Sequence, residues 1–155
     1  ADGTFEYIFE SGSVDFTSFF GSGYNDYRGI NVTEIEFFNL DKIKPISLGS
    51  VFDGHLNAGM LFHCENLRTI KGLEKLDVSN CTSFDHCFNG CFALKELNLM
   101  DWKISESAST IIMFGDAIEN IQRIYIKDEK SASILNKNLN NELTYDTLSH
   151  CLIRQ

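Results

Sequence analysis

Between Met60 and Ile126 the chain almost repeats itself every 26 to 27 residues. It reads MLFHCENLRTI from Met60, CFNGCFALKELNL from Cys87 and MFGDAIENIQRIYI from Met113. Cys64 and Cys91 are 27 apart, as are Leu67 and Leu94, Ile70 and Leu97, Leu94 and Ile121, Leu97 and Ile124, and Leu99 and Ile126. Phe88 and Phe114 are 26 apart, so the third unit is one residue out of step. Units of this size cannot bury their apolar side chains alone, and a fixed period predicts a solenoid in which each unit covers its neighbour. Such a chain presents a surface to its partners rather than a pocket.

The length of 155 residues is that of one domain. A formal net charge of −9, with no compensating Lys/Arg run, excludes the phosphate backbone of nucleic acid as the expected partner. The same charge disfavours anionic membrane surfaces, and no apolar run approaches the roughly 18 residues of a spanning helix. The opening ADGTFEYIFE has neither the basic start nor the apolar run of a signal peptide. The five cysteines are an odd number, and four of them fall on or near the repeat, which reads as core filling rather than a disulfide scaffold.

Residues 1–50 lack the repeat. Phe5, Tyr7 and Phe9, then Ile30 and Val32, then Ile35 and Phe37 alternate as short strands do. Gly21, Gly23 and Gly29, with Asn25 and Asp26, mark a loop between them. This aromatic-rich stretch reads as an N-terminal cap or degenerate coil. Residues 51–126 read as the coils, each with a turn around a phenylalanine–cysteine pair followed by an apolar-x-apolar strand. The three expected strands are Leu76-Asp77-Val78, Leu97-Asn98-Leu99 and Ile124-Tyr125-Ile126, their middle residues pointing outward. In residues 127–155, Ile134, Leu135, Leu139, Leu143, Leu148 and Leu152 recur at helical spacings. One or two amphipathic helices, started by Ser131 or Ser133, are therefore expected to close the C-terminal end.

The segment GLEKLDVSNCTSFDHCFNGCFALKELNLMDWKIS resembles the BspA-type leucine-rich-repeat surface proteins of bacteria. The matching residues are Gly72-Leu73, Leu76-Asp77-Val78-Ser79-Asn80, Thr82-Ser83, Cys87-Phe88 with Cys91, and Leu94, Leu97, Leu99 and Trp102. The likeness covers about residues 60–126. Cys87 stands where the family usually has methionine, and Ala117 where a third cysteine is usual. The resemblance implies a solenoid of leucine-rich-repeat type, which with the caps read above gives an α/β stack with short strands, an aromatic β-rich N-terminal cap and a helical C-terminal cap. It also implies an exported, cell-surface protein that adheres to other molecules and performs no catalysis. Similar repeats occur in phage tail proteins, so a structural or receptor-binding part of a virion is the alternative.

The His63-Cys64, Cys81, His86-Cys87 and Cys91 cluster lacks the paired knuckles of a structural zinc site. Buried free thiols are expected, although a Cys64–Cys91 disulfide is within the geometric range of neighbouring strands. His55, His63, His86 and His150 accompany many serines, yet no G-x-S-x-G elbow or paired carboxylates define a nucleophile or an acid/base couple. GSGYND at Gly21 lies outside any strand–helix unit and does not read as a phosphate loop. Asn31-Val32-Thr33 and Asn80-Cys81-Thr82 match the glycosylation sequon. No catalytic residue, metal or cofactor is expected. The candidate binding residues are those flanking or centring the strands: Lys75, Asp77, Glu96, Asn98, Arg123 and Tyr125. Together they predict a ridge for a protein or glycan ligand, with no role for nucleic acid or membrane insertion. Trp102 is expected to be buried against the following coil.

Overall fold

The computed structural model describes residues 12–15, 31–40, 43–52 and 56–154. The strand patterns built on Phe5, Tyr7, Phe9 and Ile30, the loop glycines 21, 23 and 29, and His55 lie outside them. In chain order the elements are β1 (Gly12–Asp15), β2 (Glu34–Glu36), β3 (Ile43–Phe52), β4 (Leu56–Gly59), β5 (Thr69–Lys71), β6 (Ser83–Phe84), β7 (Glu96–Asn98), β8 (Arg123–Tyr125), α1 (Glu129–Asn138), β9 (Leu143–Asp146) and β10 (Cys151–Arg154).

The strands fall into three separate sheets. The long β3 collects β1 and β6 in parallel and β4 antiparallel; β2 and β5 pair in parallel; and the third sheet runs β7-β8-β10-β9. In the third sheet β7 and β8 are parallel, while β8, β10 and β9 are successively antiparallel. This overturns the expected leucine-rich-repeat stack. β5 takes its ladder from β2 and shares none with β7, so the strands do not form one continuous ribbon. Short 3-10 turns at Leu73–Lys75 and Gly115–Glu119 and the single helix α1 complete the described chain.

The repeat has two concrete expressions, one at a spacing of 27 residues and one at 25 to 26. β7 and β8 pair with Glu96 opposite Arg123, Leu97 opposite Ile124 and Asn98 opposite Tyr125. On another side, backbone bonds join turn to turn: Leu61 N–H to Cys87 O at 3.0 Å, His86 N–H to Ile111 O at 3.1 Å and Phe88 N–H to Met113 O at 2.8 Å. The approach is close enough to require glycine. A Cβ on Gly59 would stand 2.1 Å from His86 O, and one on Gly49 1.7 Å from Asp85 O, so any side chain there would drive two backbones apart.

A single apolar cluster fills the interior, including Leu61, Leu67, Phe84, Phe88, Leu94, Leu97, Trp102, Phe114, Ile121, Ile124, Leu135 and Leu152. Trp102 is buried, but toward the preceding residues rather than the following ones. Its indole N–H donates to Leu73 O at 2.9 Å, and its ring lies 5.6 Å from Phe84 and 6.5 Å from Phe88. All five cysteines are free and buried. Burial pushes the Cys64 thiol up to about 12 and raises Cys87 and Cys91 as well, so none of the three offers a thiolate at neutral pH.

The C-terminal end differs most from the helical cap that apolar spacing predicts. α1 is capped by Asp128, not by Ser131 or Ser133. The Asp128 carboxylate accepts from Ser131 N–H at 2.8 Å and Ser131 Oγ at 2.7 Å, filling the capping role that stabilises helices by about 0.5–2 kcal/mol. The helix stops before Asn140 and Asn141, whose φ angles of 54° and 59° leave the right-handed region. The remaining leucines then belong to a β-hairpin: Leu143 and Leu152 point into the core, whereas Leu148 stands at the tip, 93% exposed. Asp146 builds that tip by accepting from Leu148 N–H at 3.0 Å and Ser149 Oγ at 2.6 Å.

Candidate functional site

The face of the third sheet turned away from the core is the best-defined candidate surface. Leu97 and Ile124 are buried at the centres of β7 and β8, and strand alternation directs Glu96, Asn98, Arg123 and Tyr125 outward. Because the strands pair in register, these four form two adjacent cross-strand pairs. Arg123 Nη1 donates to Glu96 Oε1 at 2.9 Å, and the bond with that carboxylate raises the guanidinium pKa further. Asn98 Oδ1 accepts from Met100 N–H at 3.1 Å, so its amide is held in place on the surface. Tyr125 is half-buried, its backbone fixed by the pairing of β8 with both β7 and β10.

Lys75 and Asp77 are not part of this patch. Leu76-Asp77-Val78 alternates in burial as a strand would, but it follows the 3-10 turn ending at Lys75 and joins no ladder. The Asp77 carboxylate turns back on its own loop, accepting from Ser79 N–H at 3.1 Å and Ser79 Oγ at 2.6 Å, with Lys44 Nζ 3.6 Å away. Lys75 and Asp77 instead border a shallow groove with Asp101 and Lys103.

The strand that Leu76–Val78 was expected to supply is β5. Its residues Thr69, Ile70 and Lys71 precede Glu96, Leu97 and Asn98 by 27, so the repeat itself carried the signal. The six extra residues from Lys71 to Leu76 obscured it by offering a second apolar-x-apolar triplet. β5 lies beside β7, and Lys71 Nζ donates to Glu34 Oε1 of β2 at 2.6 Å. Thr69, Lys71 and Glu34 therefore extend the candidate surface beyond the residues read from sequence.

The cysteines of the cluster are buried in the interior. No group of three or more His, Cys, Asp or Glu side chains among the described residues is placed to hold a metal ion. Cys91 Sγ donates to Leu61 O and Cys81 Sγ to Pro45 O, both at 3.2 Å. His86 is buried at a φ of 56°, and its Nδ1 meets Asn89 Nδ2 at 3.0 Å. His63 Nδ1 lies 3.3 Å from Glu65 Oε1.

These surroundings determine the acid response. Burial lowers the His86 pKa below its ordinary 6.5, so just below pH 6.5 the unfolded chain binds a proton that the folded chain does not. Asp77, Asp128 and Asp146 are each held below the ordinary 3.8, chiefly by a hydrogen bond from Ser79, Ser131 and Ser149 respectively. Their contribution is full above 3.8 and is lost as the pH falls through the lower folded-state values. The thermal midpoint is therefore expected to be level between about pH 7 and 8, to decline on acidification from about pH 6.5 and to drop again below about pH 4. It should also fall above about pH 9, where the unfolded chain ionises thiols that burial keeps neutral in the fold. A calorimetric profile in which stability rises on acidification between about pH 6.5 and about pH 4 would contradict this assignment.

No protein family matches the chain, and no match is found among curated proteins or solved structures.

Proposed function

We propose that this chain is a non-catalytic recognition module that binds a protein or glycan ligand through the exposed face of β7 and β8. The observation that carries this reading is the in-register patch of Glu96, Asn98, Arg123 and Tyr125 on strands backed by fully buried Leu97, Ile124 and Leu152. Side chains on a rigid backing lose little entropy on contact, and tyrosine brings a large area on few rotatable bonds. The pair Arg123–Glu96 supplies both a donor fork and an acceptor, which suits the mixed polar surface of a protein or a sugar's hydroxyls. The resemblance of residues 60–126 to BspA-type surface proteins points to the same class of function, exercised at a cell surface.

The test is a protein and glycan array probed with the chain, followed by titration of its best ligand. Tyr125→Ala and Arg123→Glu are each expected to weaken binding by about tenfold, a typical loss for truncating an interface anchor. Both should leave the thermal midpoint within a degree or two, because neither side chain is in the core. Binding that survives both substitutions would remove this face from consideration.

A further inference from the structure

A second surface, on the opposite flank of α1 from its core-facing stripe, has a different chemistry. Lys130, Ser133, Ile134 and Lys137 occupy positions i, i+3, i+4 and i+7, which place them in one line along the helix. Facing them, Glu106, Ala108 and Thr110 line the other wall, which opens on a turn closed by Ala108 N–H donating to Ser105 O at 3.0 Å. The two walls enclose a groove. It is pinned near both ends: Ile104 N–H donates to Ser131 Oγ at 2.7 Å, and Asn138 Nδ2 donates to Thr110 Oγ1 at 2.9 Å. Behind this wall, Ser109 Oγ donates to the buried Asp85 carboxylate at 2.6 Å.

The groove differs in charge from the chain as a whole. Its lining carries two lysines and one glutamate, against a formal net charge of −9 overall. Among the described residues neither Lys130 nor Lys137 makes an ion pair, whereas Lys44, Lys71, Arg123 and Arg154 all do. Between the lysines, half-buried Ala108 and Ile134 form an apolar floor. Seven helical positions separate the lysines by about 10 Å along the axis, the span of about three residues of extended chain.

The apolar character continues past Thr110. Ile111 and Ile112 are 55% and 53% exposed, and Ile112 has a φ of 50°. That conformation is a genuine outlier for a β-branched residue. It is held from beneath, because Asp85 Oδ1 accepts from Ile111 N–H at 2.6 Å and His86 N–H donates to Ile111 O at 3.1 Å. Two isoleucines are thus displayed to solvent on a strained, braced turn at the end of a basic groove.

We propose that this groove takes an extended segment of a partner protein in which an apolar side chain is flanked by carboxylates. The apolar side chain sits on Ala108 and Ile134, the carboxylates meet Lys130 and Lys137, and the segment continues over Ile111. Glu106, on the wall opposite the helix, favours the carboxylates toward Lys137 and disfavours a uniformly anionic strip.

The experiment is fluorescence anisotropy of the whole chain with a fluorescein-labelled ten-residue peptide in which two Glu-Ile-Glu units are joined by serines. The matched control carries Gln-Ile-Gln. The glutamate peptide is expected to bind about tenfold tighter than the glutamine peptide at low salt, and the preference should fade as salt rises. Lys130→Glu with Lys137→Glu should abolish that preference, Lys130→Gln with Lys137→Gln should reduce it, and Ile134→Asp should weaken both peptides. Circular dichroism establishes that each variant retains its fold; the paired glutamine variant, which introduces no like-charge contact with Glu106, serves if the charge reversal does not. Tyr125→Ala should leave peptide binding unchanged, which separates this groove from the strand face. Equal binding of the two peptides, indifference to both lysine pairs, loss of binding in Tyr125→Ala, or displacement by an equal concentration of a ten-nucleotide single strand would each overturn the proposal.

Discussion

Replacing Trp102 with alanine is expected to remove about 3–5 kcal/mol of folding stability, the range for deleting a fully buried aromatic side chain. Trp102 is the chain's one tryptophan and is 1% exposed, packed against Phe84 and Phe88, with Phe88 in turn stacked on Phe114 at 5.6 Å. Its loss empties the space beside Phe84 and Phe88. It also strips Leu73 O of its indole donor, leaving that carbonyl with the Leu76 N–H at 3.1 Å. Trp102→Phe separates the two effects, since it retains a ring and loses the N–H. Urea unfolding followed by far-ultraviolet circular dichroism reads both variants. A loss below about 1 kcal/mol for Trp102→Ala would place the side chain outside the core.

The second large effect is expected at Leu97. Leu97→Ala should cost about 2–5 kcal/mol, because the residue lies at the centre of β7, faces Ile124 across the ladder and has Leu152 one strand further on. All three are essentially inaccessible to solvent, so the strands cannot close over the space left behind. Its neighbours on the other face give the internal control. Glu96→Ala and Asn98→Ala should each change stability by no more than about 0.5 kcal/mol, as exposed positions do. The measurement is the shift in denaturant midpoint at constant slope. If all three substitutions cost the same, the inward and outward faces have been assigned wrongly.

The difference between those faces was legible in the sequence, and so was the register. The 27-residue spacing of Leu97 and Ile124 appears as direct opposition of β7 and β8, and the outward positions of Glu96, Asn98, Arg123 and Tyr125 follow from strand alternation. Ladder partnership was not legible. Ile70 shares the spacing, yet β5 pairs with β2, because nothing in a periodic pattern says which neighbour supplies the hydrogen bonds. Asp77 was misplaced because burial alternation alone cannot distinguish a paired strand from an extended loop whose carboxylate bonds to its own Ser79. At the C-terminal end, spacings of four and five between Leu139, Leu143, Leu148 and Leu152 suit a helix and a tight hairpin equally. The local chemistry that decides the matter is the Asn140-Asn141 pair, which leaves the right-handed region and ends the helix. The groove beside α1 leaves no mark in the sequence pattern for another reason. Its two walls are 20 or more residues apart in the chain, and each reads by itself as an ordinary solvated face.

The hairpin also has a border. β9 is the last strand of its sheet, and a last strand ordinarily leaves N–H and C=O groups available to any extended chain that drifts past. Here the Asn136 side chain of α1 meets Leu143 at both groups, with Nδ2 donating to Leu143 O at 2.8 Å and Oδ1 accepting from Leu143 N–H at 3.1 Å. One amide thus imitates the backbone of a neighbouring strand at the point where a foreign strand would begin to zip on. A second copy of this chain therefore meets Leu143 with both of its edge groups already bonded, and cannot start a ladder on β9 at that residue.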